Sequence, residues 1–179
     1  RSSFTKAFQE IMADVLISIL RGQTEEEISD KVLDFKKSMV NQDMKVIAKN
    51  SAVKNLKKYL PKGKRNLFQF MKGTPAHVKA AIAYNDCLKH FDAPFKYEPM
   101  KNGDKVKWVY LKDNPLGLSG LAFTGYKDPS EINEFINTYI DHNKIFEREL
   151  KGKLQDFYDA IGWGDVVSEQ RTAEKFFTF

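Results

Sequence analysis

Between Lys45 and Lys79 the chain carries ten lysines or arginines and no aspartate or glutamate. Lys54, Lys57, Lys58, Lys62, Lys64, Arg65, Lys72 and Lys79 run through this stretch, with Tyr59, Phe68 and Phe70 between them. Cationic groups at this density suit the neutralisation of a polyanion such as a nucleic-acid backbone. The competing reading is a solvated lysine-rich face. The rings can stack on bases, although core packing competes for each of them. Thr74-Pro75-Ala76-His77 opens a predicted helix within the same run, with Thr74 as N-cap and Pro75 at the first helical position. A helix start presents N–H groups and a positive dipole end to an anion. Candidate DNA contacts are therefore Lys54, Lys57, Lys58, Tyr59, Lys62, Lys64, Arg65, Lys72, Thr74, His77 and Lys79. Such contacts set affinity and position without reading sequence.

The C-terminus offers a different chemistry. Gln170, Ala173 and Phe176-Phe177 follow the spacing Gln-x-x-apolar-x-x-aromatic-aromatic of sliding-clamp-binding peptides, and Phe179 closes the chain. Aromatics on a short tether can plug a partner's pocket on binding. Ala173 departs from the pattern, which usually has a larger aliphatic residue there. The alternative is that Phe176, Phe177 and Phe179 fold back onto their own domain.

Catalytic constellations are missing. His77, His90 and His142 lack metal-ligand spacing. Cys87 lies on the apolar side of a predicted helix and reads as a buried, inert thiol. Asp141, Glu147 and Glu149 do not form the carboxylate set of two-metal nucleotidyl chemistry. There is no P-loop, zinc-finger or RNA-recognition pattern. No metal or cofactor is expected in this chain, and a nuclease is the remote third reading.

Positioning these residues falls to a chain of 179 residues with 42% hydrophobic residues and 14 Phe, enough for a substantial core. From Met44 to Lys112 sixteen basic residues face four acidic ones, while the remainder carries thirteen basic and twenty acidic. No run of eighteen apolar residues is present and no signal-peptide pattern, so no membrane partner is expected. A single cysteine suits a reducing cytoplasm. Arg1 in place of Met fits a domain of a longer chain, and equally a processed start.

Apolar spacing from Phe4 to Ile19 predicts a helix with Ser3 as N-cap and Gly22 as its stop. Thr24 with Glu27 predicts a capping box at the start of a second, antiparallel helix. MKVIA (44–48) reads as a strand, NSAVKNLKKYL (50–60) as a short helix, and PKGKRNLFQFMKG as loop. A helix follows to about residue 90. KVKWVYLK and LSGLAF read as paired strands joined by the turn DNPLG. A long helical segment then opens with Asp128 as N-cap and Pro129 at N1, with a kink or split at Gly152. Beyond Trp163 the pattern becomes that of a tether. The expectation is an α+β fold, mainly helical and bundle-like, with a small antiparallel strand element and a flexible C-terminal tail.

In order along the chain, several segments resemble one protein family. RSSFTKAFQEIM with the acidic helix after it resembles the palm-to-thumb junction of the family B replicative DNA polymerases of tailed bacteriophages, the T-even-like group. PAHVKAAIAYN resembles a Pro-x-His-x-basic…Tyr-Asn segment of that thumb. GDKVKWVYL and NPLGLSGLAF resemble its next two strands, TYIDHNKIFERELKGKL its closing helix, and the Phe-rich end its clamp-binding tail. The resemblance implies a thumb domain at 1–163 and a flexible tail at 164–179. It implies that His77, Lys79, Lys57, Lys58 and Tyr59 lie near the duplex backbone and that the final phenylalanines enter the clamp. The implied partners are primer–template duplex DNA, the sliding clamp, and the palm, fingers and exonuclease domains. The Mg²⁺ of such an enzyme is expected in its palm, and the implied location is the cytoplasm of the infected bacterial host. The alternative is a free-standing basic DNA-binding accessory protein of phage replication, which an upstream palm in the same reading frame would exclude.

Overall fold

The computed structural model describes residues 5–93 and 96–167. The described residues divide into two compact units, one within residues 44–141 and the other made of residues 5–43 with 142–167. This division falls inside the stretch 1–163 that the sequence reading treats as one domain. The architecture is α+β and mainly helical, with one three-stranded antiparallel sheet.

The helical unit begins with α1 (Lys6–Leu20) and α2 (Glu25–Ser38). Phe8 near the start of α1 meets Phe35 near the end of α2, with ring centroids 5.6 Å apart, so the two helices run antiparallel. The turn between them follows from its residues. Gly22 takes φ 78°, and the Gly22 and Gln23 amides donate to the Ile19 and Ser18 carbonyls, the pair of bonds that closes a helix on a left-handed residue. Thr24 then caps α2 by the expected box. Its Oγ1 accepts the Glu27 amide at 3.2 Å, and Glu27 Oε2 accepts the Thr24 amide at 2.8 Å. α1 starts from Thr5, which makes no side-chain cap; Ser3 lies outside the described residues.

The same unit closes with α6 (His142–Phe146), a π-helical turn (Glu147–Lys151) and α7 (Gly152–Ala160). The backbone runs through Gly152 in helical conformation, so the irregularity lies in the widened turn before it and not at the glycine. Phe8, Val15, Ile28, Val32, Phe146, Leu150, Leu154 and Tyr158 are all buried, in the apolar stripes of their helices. The packed structure continues past Trp163, where the sequence suggests a tether. Glu25 Oε1 accepts the Gly164 amide at 3.0 Å, Gln155 Oε1 accepts the Val166 amide at 3.1 Å, and Val166 is fully buried.

The other unit holds a one-turn helix α3 (Met44–Ile47), β1 (Lys49–Ala52), a 3₁₀ turn (Leu56–Tyr59), α4 (Ala76–His90), β2 (Lys105–Tyr110), β3 (Gly120–Phe123) and α5 (Ser130–Tyr139). Strand order is β1-β2-β3, with Lys49 opposite Trp108 and Trp108 opposite Ala122. Two expectations fail at its start. Residues 44–47 form a helical turn where the sequence suggests a strand, and residues 50–52 pair with β2 where it suggests a helix. The short apolar cluster Val46-Ile47-Ala48 carries no period of its own, and β2 decides the pairing.

α4 packs across β3 and β2. Nine of its fifteen residues are buried, among them Ala80, Ala81 and Ala83, whose small side chains let the helix lie close to the sheet. The helical segment expected from Asp128 to Trp163 breaks at Ile140–Asp141. There Ile140 turns extended and bridges Leu111, while the Asp141 amide donates to the Tyr110 carbonyl. Among the described residues no helix is long and apolar enough to cross a membrane.

Gly120 opens β3 close against β2. A Cβ built there would lie 2.9 Å from the Val109 carbonyl oxygen and 3.6 Å from the Trp108 ring. Gly120→Ala is therefore expected to destabilise the protein by about 1–3 kcal/mol. A fall in the urea midpoint with an unchanged slope checks this.

Candidate nucleic-acid interface

The basic segment leaves β1 through Val53, whose amide and carbonyl bond to the Asp104 and Gly103 backbone. Asn55 takes a left-handed φ of 55°, which turns the chain sharply into the 3₁₀ turn. Asn102 Oδ1 accepts the Leu56 amide at 2.7 Å and fixes that turn. Lys54, Lys57, Lys58, Lys62, Lys64 and Lys72 are all exposed, whereas Lys79 and Tyr59 are half-buried. The Lys58 ammonium sits 5.6 Å from the Tyr59 ring centroid, a favourable cation–ring contact.

Residues 61–73 have no regular structure and none of their apolar side chains is fully buried, so something specific must hold them. That role falls to Asp86 of α4, which is fully buried. Its two carboxylate oxygens receive the two Arg65 guanidinium nitrogens in a bidentate pair, and Oδ2 also accepts the Phe68 amide at 2.9 Å. Arg65 Nη1 further reaches the Gln69 carbonyl at 3.3 Å. The Arg65 side chain is 16% exposed. Of the candidate phosphate contacts, Arg65 thus has its charge turned inward onto Asp86. The sequence reading missed Asp86; its one signal was an acid placed among the apolar residues of a predicted helix.

The helix start differs by one residue from its expected register. Pro75 is the N-cap and α4 begins at Ala76, so the Pro75 carbonyl accepts the Val78 and Lys79 amides at 3.0 and 2.9 Å. Thr74 does not cap it. It is buried, and its hydroxyl donates to the Met71 carbonyl at 2.7 Å, closing the turn that enters the helix.

His77 is half-buried in the first turn of α4. Burial lowers its pKa below the ordinary 6.5, and the Lys49 ammonium lowers it further. An imidazole with a depressed pKa takes up its proton more readily in the unfolded chain. The stability it contributes is therefore present above pH 6.5 and lost as pH falls through the folded value. The lowered pKa favours its uncharged form. Lys49 of β1 also lies over the Trp108 and Tyr110 rings, at 5.2 and 5.9 Å from their centroids. The structure thus gathers Lys49, Trp108 and Tyr110 at one end of the sheet, with His77 close enough to feel the Lys49 charge. The sequence reading assigned Lys49 no role, because the strand that aligns it with Trp108 was placed five residues too early.

Elsewhere, Cys87 is buried and its thiol is pushed up to about 12, by burial and then by the Asp86 carboxylate, as an inert thiol should be. Among the described residues no group of three or more His, Cys, Asp or Glu side chains is placed to hold a metal ion. Gln170, Ala173, Phe176, Phe177 and Phe179 lie outside the described residues.

The chain is thus a mainly helical α+β protein with a lysine-rich segment anchored to a buried helix. No protein-family model matches it. Over 164 residues, 90% of the chain, it is 26% identical to the DNA-directed DNA polymerase of Enterobacteria phage T4. The chain spans 17% of the length of that protein, so the similarity relates it to one region of a much longer enzyme.

Removing the guanidinium while keeping its bulk, as in Arg65→Met, leaves the Asp86 carboxylate buried without a counter-charge. A loss of about 3–5 kcal/mol in unfolding free energy is expected. Amide exchange should rise first at Phe68, whose bond depends on the same carboxylate.

Proposed function

We propose that this chain is the non-catalytic thumb region of a family B DNA-directed DNA polymerase of a tailed bacteriophage, and that it holds the primer–template duplex by its phosphates. The observation that carries the reading is the run of exposed lysines at 54, 57, 58, 62, 64 and 72 on a segment anchored by Arg65 and Asp86. The ordered similarity to a phage DNA polymerase over 90% of the chain supports the same assignment. Ammonium groups on an anchored segment release counterions from a duplex without reordering the chain that bears them, and they carry no base preference. Thr74, His77 and Lys79 would approach the backbone at the start of α4, with His77 donating a neutral N–H. Arg65 would position the segment instead of touching DNA.

The palm, fingers and exonuclease of such an enzyme would supply the catalysis and hold its Mg²⁺. The residues 170–179 would tether the polymerase to a sliding clamp through Gln170, Ala173, Phe176, Phe177 and Phe179. Tethering converts dissociation into local rebinding at high effective concentration. The setting would be the cytoplasm of the infected host.

Neutralising about five phosphates predicts that log K for duplex DNA falls against log salt with a slope of about −4 to −5. Substituting Lys57 and Lys58 together by Ala should flatten that slope by about 2 and weaken all sequences alike. Fluorescence anisotropy with labelled duplexes measures both, and a slope near zero would overturn the reading.

Deleting residues 170–179 should abolish binding to a tailed-phage sliding clamp while sparing duplex binding. Surface plasmon resonance on immobilised clamp reads the first and anisotropy the second. Undiminished clamp binding by the truncated chain would remove the tether from this proposal.

A further inference from the structure

A cavity of about 420 Å³ opens between the segment 96–106 and the turn 124–127, with Tyr84 of α4 in its wall. None of its lining residues belongs to the basic segment described above. Three tyrosines (Tyr84, Tyr97, Tyr126) and three lysines (Lys96, Lys105, Lys127) line it. Glu98 and Asp104 line it too, and Asp104 Oδ2 accepts the Lys101 amide at 2.7 Å. Three ammonium groups thus stand in the wall beside two carboxylates, and the Asp128 carboxylate lies behind the turn against Tyr84.

The turn that carries Tyr126 and Lys127 is held rigidly. Asp128 does not cap α5 as the sequence suggests, since Pro129 is the N-cap. Its carboxylate instead accepts the Thr124 and Gly125 amides, both at 2.8 Å. Thr124 Oγ1 accepts the next two amides, from Tyr126 at 3.4 Å and Lys127 at 3.2 Å. Four consecutive N–H groups are thus satisfied within the turn. Yet Tyr126, which this turn presents, is 87% exposed and packs on little. A large aromatic on a preorganised turn can stack on a flat ligand at little ordering cost.

The opposite wall is fixed as firmly. The Asn85 amide group bonds both the Met100 N–H, at 2.7 Å, and the Met100 carbonyl, at 3.0 Å. Lys96 lies over the Tyr97 ring at 5.5 Å. The Tyr84 hydroxyl is buried beside the Asp128 carboxylate without a hydrogen bond of normal geometry, and burial followed by that charge raises its pKa.

Aromatic faces flanked by ammonium groups are the chemistry of a nucleotide site, with a base stacked on the ring and its phosphate on the cations. The volume suits one nucleotide. A duplex keeps its bases inside the stack and cannot offer one to Tyr126. We infer that this cavity binds a single unpaired nucleotide, with its base against Tyr126 and its phosphate among Lys96, Lys105 and Lys127. The inference rests on the nucleic-acid reading above for the class of ligand, and on none of the residues assigned there.

The test titrates the full 179-residue chain with dTMP, thymidine and inorganic phosphate, by calorimetry and by amide shifts in ¹H–¹⁵N spectra. A dTMP Kd below about 1 mM is expected, with shifts at Lys105, Tyr126 and Lys127. Thymidine and phosphate should each bind at least about tenfold more weakly, since each makes only half of the contacts. Tyr126→Ala should weaken dTMP at least about tenfold, and Lys127→Ala should weaken dTMP without changing thymidine. Because both side chains are exposed, neither change should alter the spectrum elsewhere. Absence of dTMP binding, binding that survives Tyr126→Ala, or phosphate binding as tightly as dTMP would each overturn the inference. Duplex affinity measured on the same samples separates the two readings. A chain that binds duplex and not dTMP loses this site alone, and one that binds dTMP and not duplex loses the thumb assignment alone.

Discussion

A single buried carboxylate holds the charged segment of this protein. The residues from Lys62 to Asn66 are too polar to hold themselves by burial, and their like charges push the segment away from compact structure. Asp86 offsets this by taking the one arginine of the segment inward and by accepting the Phe68 amide with the same group. Three charge-assisted bonds to one carboxylate make the desolvation of both ions tolerable. The lysines can then remain outside, because the fold is not asked to neutralise them.

The same helix manages its other flanks in the same way. Tyr84, Asn85 and Asp86 are consecutive on α4 and therefore point about 100° apart. Asn85 holds the Met100 segment and Asp86 holds residues 65–68, while Tyr84 lies against the Asp128 turn. Two loops without regular structure are thus fastened by hydrogen bonds to neighbouring side chains, and a third lies against Tyr84. The alanines before them keep the helix close to the sheet. Rigid presentation of surface cations and rings, which binding needs if ordering costs are to stay small, follows from this arrangement.

Much of the architecture was legible because it rests on local signals. The capping box at Thr24, the glycine stop at Gly22, the helix through residue 90 and the alternation in Lys105–Tyr110 all arise from residues within one or two turns of each other. The errors lie where distant partners decide. Residues 49–52 became a strand because β2 lay ready to pair with them, and the segment after Asp128 broke at Ile140 because Leu111 captured it. By residue type, Thr74 and Asp128 suggest helix caps. Both turned to neighbouring backbone groups instead, since a proline next in the chain already supplied the N-cap.

Sequence alone determined the charge asymmetry, the lysine-rich run, the mainly helical α+β class and the likeness to a polymerase region, since composition and local periodicity do not depend on what the chain later meets. Tertiary structure alone decided which cations face outward and which is neutralised, and that Lys49 joins Trp108 and Tyr110, with His77 close enough to feel its charge. It also created the cavity bounded by residues 84 to 127. Each of these needs groups far apart in the chain to share a few ångströms of space, and Coulombic and hydrogen-bond energies depend on that separation and on burial. Neither quantity is written in the order of the residues.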